Sequence, residues 1–122
     1  MRKLCVIAVF IGTLLSLACG AEKIYAHVFP NHSEPRVGAT VPAAPRVRIW
    51  FDGALEPAFS TLRVDNAAGQ RVDKGDSGVN PSDRTLLEVS LPPLPPGTYR
   101  VIWSVVARDG HKTEGDFTFT VK

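Results

Sequence analysis

The chain has 122 residues, which fits one domain. Its 14 basic and 12 acidic residues give a formal charge of +2, and no basic stripe with interleaved aromatics exists, which excludes an electrostatic nucleic-acid binder. The only cysteines are Cys5 and Cys19 and the only methionine is Met1.

The chain opens on a leader pattern. Arg2 and Lys3 form a positive start, and Cys5 to Ala18 is an almost unbroken apolar run. That is the layout of a secretory signal peptide, and the run is shorter than the ~20 residues a membrane span needs. Cleavage after Ala26 leaves His27 first. Cleavage after Ala21 is the rival, and lipidation at Cys19 is a third option with a poor lipobox; local sequence leaves these open. Removing residues 1–26 takes both cysteines, the methionine, three basic residues and Glu22, so the remaining domain is near neutral and has neither disulfide nor thiol ligand.

Strands follow. Val47, Ile49 and Phe51 alternate with Arg46, Arg48 and Trp50; Leu62 and Val64 with Arg63 and Asp65; Leu87, Val89 and Leu91 with Glu88 and Ser90. Tyr99 to Val106 alternates too but is apolar on both faces, which predicts a central strand, and Phe117, Phe119 and Val121 close the series. Period two is the strand signal. Ala67–Gln70 reads as a short hairpin turn, and 75–83 as a long polar loop. Pro42 and Pro45 bracket an irregular connection. The run Pro92–Gly97 cannot pair as a central strand, because proline lacks the N–H, and should bridge two sheets. No amphipathic helix, repeat or low-complexity tract is present. Several short strands at regular spacing predict an all-β sandwich or barrel.

Three histidines could carry chemistry: His27, His32 and His111. In Asp109-Gly110-His111, an extended backbone points Asp109 and His111 to one side. Asp-Gly is also a favoured hairpin dipeptide, and on the tripeptide alone the turn reading wins. A terminal His27 changes the balance, because its α-amine and imidazole close a chelate ring once both have given up a proton. His111 adds a third nitrogen and Asp109 an oxygen, a donor set that suits Cu(II). His32 reads as an exposed loop residue. With no Met or Cys after residue 26, there is no soft donor set for Cu(I). Trp50 and Trp103 read as core or near-core, Tyr99 as a corner tyrosine, and Gly115 as a bulge or a close backbone approach. Asp52, Glu56 and Asp65 have no spacing that sets them apart from a solvated face. No serine lies in a nucleophile elbow.

The stretch from Gly97 through Tyr99-Arg100-Val101-Ile102-Trp103 to Asp109-Gly110-His111, followed by Gly115-Asp116-Phe117-Thr118-Phe119, resembles the C-terminal signature of the CopC family of periplasmic copper-binding proteins. Val47–Phe51 and Glu56-Pro57-Ala58-Phe59-Ser60 resemble that family's early strands. The resemblance implies a seven-stranded Greek-key β-sandwich or barrel, cupredoxin-like or Ig-like in outline, over residues 27–122. It implies one Cu(II) held by His27, Asp109 and His111, and it favours cleavage after Ala26. It also implies a periplasmic, monomeric copper protein without enzymatic activity, associated with a membrane copper transporter of the CopD type. Ser33–Gly38 and Ala107 depart from the family pattern, and the Met-rich Cu(I) site of some members has no counterpart here. Two other readings compete: a small copper enzyme with a histidine brace, and a metal-free Ig-like interaction module.

Overall fold

The alternation in Arg46–Phe51 is what a half-buried strand requires, and the computed structural model, which describes residues 27–122, shows it as one. Eight strands are present among the described residues: β1 Pro30–Glu34, β2 Thr40–Val41, β3 Arg46–Phe51, β4 Thr61–Asp65, β5 Gly78–Asn80, β6 Asp83–Ser90, β7 Gly97–Val106 and β8 Lys112–Val121. They form two four-stranded sheets, β1-β3-β6-β5 and β2-β8-β7-β4. The leader pattern over 1–26 lies outside the described residues.

The two sheets face each other across one apolar core. Val47, Ile49 and Phe51 enter it from β3, Leu87 and Val89 from β6, Leu62 and Val64 from β4, and Tyr99, Val101, Trp103 and Val105 from β7. Each fully buried side chain of this kind is worth about 1.5–3 kcal/mol. Phe51 and Trp103 meet edge to face across the two sheets, with centroids 5.2 Å apart. β7 lies between β8 and β4, the central place its sequence predicted, with Ile102 and Val106 half-buried on its outer face. The proline run after β6 carries the chain from the first sheet to the second, as expected. It is fastened there by the Tyr99 hydroxyl, which donates to the Pro95 carbonyl at 2.5 Å, so Tyr99 is a corner tyrosine.

Three expectations need correction. The polar stretch 75–83 is not all loop, because β5 lies inside it and pairs with the edge of β6. Side-chain bonds reinforce that pairing: Ser90 N–H donates to Asp76 Oδ1 at 2.8 Å, and Asn80 Nδ2 donates to Glu88 Oε2 at 2.9 Å. β8 begins at Lys112, five residues before Phe117. The Trp103 indole lies over Gly115, so close that a Cβ there would stand 2.4 Å from Cζ2; the tryptophan supplies the apolar cover that residue 115 lacks. Trp50 is not core. It points out from the first sheet, opposite Leu86 in the register, with the Arg48 guanidinium 5.0 Å from its ring centre and the His32 ring at 5.0 Å.

Candidate metal centre

The β7–β8 hairpin supplies two of the three expected ligands. Gly110 N–H donates to the Ala107 carbonyl at 2.9 Å, and Ala107 N–H to the His111 carbonyl at 2.9 Å. Gly110 has φ of +90°, which a side chain strongly disfavours. This is a three-residue hairpin loop, a turn followed by a left-handed residue. The backbone of Asp109-Gly110-His111 is therefore not extended, and strand alternation is not what brings its side chains together. The turn does that: Asp109 Oδ1 accepts the His111 N–H at 3.0 Å and lies 3.2 Å from His111 Nδ1. The Asp109 carboxyl is held below its usual range, chiefly by the His111 N–H; burial opposes this, and the imidazoles of His111 and then His27 add to the lowering.

His27 arrives from the other end of the sequence. Its ring stacks on His111 with centroids 5.4 Å apart and planes 24° apart, and on Phe29 at 6.1 Å. The segment is fixed by pairing just beyond it: Phe29 N–H donates to Asp52 Oδ1 at 2.9 Å, and Asp52 N–H donates to the Phe29 carbonyl at 3.0 Å. Val28 is 5% exposed and belongs to the core. Sequence reasoning left Asp52 on a solvated face. The signal that could have found it is its place just after β3, where a carboxylate meets the backbone entering β1.

The three expected ligands thus share one end of the sandwich. Their donor atoms do not yet form a cage: among the described residues no three His, Cys, Asp or Glu side chains converge to hold a metal ion. With Ala26 attached, the His27 nitrogen is an amide and no donor. Two imidazoles and a carboxylate fit a borderline divalent cation, and an α-amine on His27 would complete four donors. His32 is not part of this group. It lies on the outer face of the first sheet, stacked on Trp50, with Nε2 3.8 Å from Glu34 Oε2. No helix among the described residues is long and apolar enough to cross a membrane.

Comparison with known proteins identifies the family. The CopC domain matches residues 31–122. Protein YobA of Escherichia coli K12 is 34% identical over 111 residues, covering 89% of this chain and 90% of YobA. The copper transport protein CutJ of Bacillus subtilis is 30% identical over 110 residues, covering 88% of this chain but 20% of CutJ. The crystal structure of PcoC, a methionine-rich copper resistance protein of Escherichia coli, superposes with a TM-score of 0.70 at 31% identity, covering 80% of this chain and all of PcoC. A domain match over nearly the whole sandwich, with relatives of the same length and fold, makes this chain a member of the CopC family.

Proposed function

We propose that export removes residues 1–26 and that the trimmed protein carries one Cu(II) ion in the periplasm, bound by the His27 α-amine and imidazole, the His111 imidazole and the Asp109 carboxylate. The observation that carries this reading is the meeting of His27 and His111, 84 positions apart, with rings 5.4 Å apart and Asp109 Oδ1 against His111. Three nitrogens and one oxygen suit the tetragonal preference of Cu(II), which heads the divalent affinity order. Zn(II) accepts similar donors but prefers a tetrahedron. The two imidazoles, now stacked, would have to turn toward a shared ion.

The protein is a carrier rather than a catalyst on this reading. Four protein donors fill the plane that oxygen chemistry needs open. PcoC is methionine-rich, whereas this chain has no Met or Cys after residue 26. Reduction should therefore release the ion. On this reading the protein acts as a monomer that delivers copper to, or receives it from, a CopD-type membrane transporter; the match of this domain to one fifth of a longer copper transport protein supports a link to copper transport.

Two measurements test the reading together. Intact mass of the protein recovered from its native compartment should place His27 first, and the Cu(II) EPR spectrum of that form should show nitrogen couplings that shrink in both His27→Ala and His111→Ala. A mature form beginning at Glu22, a lipid on Cys19, or a spectrum without nitrogen donors overturns it. Oxidised fragments from polysaccharide incubated with the reduced, copper-loaded protein would replace the carrier with an enzyme.

A further inference from the structure

We infer that Gly53 and Thr113 are positioning residues of the metal centre: they grip Val28 and thereby hold His27 against His111. The inference rests on the copper site proposed above. The second residue of a trimmed chain ordinarily frays, because nothing ties it down. Here Val28 is 5% exposed and part of the core. Two features make that possible. Val28 Cγ1 sits where a side chain on residue 53 would begin, 2.7 Å from the position of a Cβ, so the seat exists only because residue 53 is glycine. Thr113 Oγ1 donates to the Val28 carbonyl at 2.9 Å.

The location of these groups ties the grip to the site. Gly53 follows Asp52, whose backbone and carboxylate pair with Phe29 on the far side of Val28. Thr113 stands two residues after His111, at the start of β8. One strand end therefore presents one ligand and anchors the residue next to the other. With Val28 fixed on both its side chain and its carbonyl, His27 has only its own torsions left to search. Fixing a residue's backbone costs about 1–2 kcal/mol, and in this fold that cost is met before the ion arrives. Loosening Val28 transfers the cost to copper binding, which should appear as lost affinity in a protein that is still folded.

The test uses the form that begins at His27. Gly53→Ala should bind Cu(II) about tenfold more weakly, the equivalent of about 1.4 kcal/mol. Thr113→Val, which keeps the shape and removes the donor, should lose affinity in the same direction. In both variants the Val28 amide should exchange faster with solvent and the EPR spectrum should broaden into more than one species, which a general loss of stability does not produce. Val28→Ala in the Gly53→Ala background removes the clashing methyl and should bind copper more tightly than Gly53→Ala alone. Wild-type affinity and an unchanged spectrum in folded Gly53→Ala or Thr113→Val overturn the inference, as does a double variant no better than Gly53→Ala. If Gly53→Ala does not fold, Thr113→Val decides alone. Failure of the copper site itself reads differently: wild type and His27→Ala would then bind Cu(II) equally.

Discussion

Two aspartates in this protein make the same local bond and end in opposite roles. Asp73, in the connection between β4 and β5, accepts the Gly75 N–H two residues on at 2.8 Å; Asp109, in the β7–β8 turn, accepts the His111 N–H two residues on at 3.0 Å. The difference lies in how completely protein donors enclose the carboxylate. Asp73 Oδ2 takes the Val64 N–H at 2.9 Å, Arg71 Nε reaches both oxygens, and the side chain has no exposed surface. The Asp109 side chain is 39% exposed, and its Oδ1 takes the His111 N–H beside the His111 ring. Asp73 has its lone pairs committed to protein donors and fastens β4. Asp109 stays partly exposed beside the imidazoles of His111 and His27. The lesson is that a short Asx-type turn says where a carboxylate points, while the neighbours decide whether it is available to an ion.

The largest effect should come from removing a ligand on the open side. His111→Ala should weaken Cu(II) binding at least about 100-fold, beyond the range usual for the loss of an outer-shell partner. Isothermal titration against a competing chelator measures it. Asp109→Ala should follow, with a loss of about 10–100-fold and little change in the unfolding midpoint, because the carboxylate is exposed and acts on the ion and on the His111 ring. A stability loss without a copper loss would erase the contrast with Asp73.

Asp73→Ala should behave in the reverse way. It leaves the Val64 and Gly75 N–H groups without their acceptor, a cost of about 1–3 kcal/mol for a buried group, read by denaturant unfolding, with copper affinity unchanged. Acid should expose the same difference. Burial pushes the Asp73 carboxyl up, but the Arg71 hydrogen bond and the Val64 and Gly75 N–H groups more than offset it and hold the group below 3.8. The unfolded chain then binds more protons than the native one on the acid side. The stabilisation is complete above the ordinary carboxyl range and is lost as the pH falls through the lowered native value. Wild type should therefore show an acid limb in its unfolding midpoint that Asp73→Asn flattens. The smallest effect belongs to His32→Ala, which should leave Cu(II) affinity within about twofold, since Trp50, Arg48 and Glu34 surround that ring and Arg48 brings a positive charge.

Much of this was legible in the residues themselves. Period-two alternation marked β3, β4, β6 and β7, because one face of each strand is buried and the other is wet. The prolines between β6 and β7 marked a crossing between sheets, because they cannot donate to a ladder. β5 was not legible: in an edge strand of three residues Val79 alone packs against the core, too little for a period-two pattern. The start of β8 was hidden because its cover comes from Trp103 on the neighbouring strand, a contact that no local pattern contains. Trp50 misled for a related reason, since a large ring on an outer face looks like a core residue until strand parity and Arg48 place it. At the site, His27, Asp109 and His111 could be named from residue type, but how they meet could not. The Gly110 turn and the burial of Val28 are long-range or dihedral facts, and they set the geometry.

The most direct measurement compares Cu(II) affinity in two purified forms of the chain, one beginning at His27 and one retaining Ala26 before it. The free α-amine exists only in the first, and the fold around Val28 is common to both. The expected result is binding at least about 100-fold weaker in the longer form, two steps of about 1.4 kcal/mol. Equal affinities in the two forms would contradict a copper ion held by the terminal amine of His27.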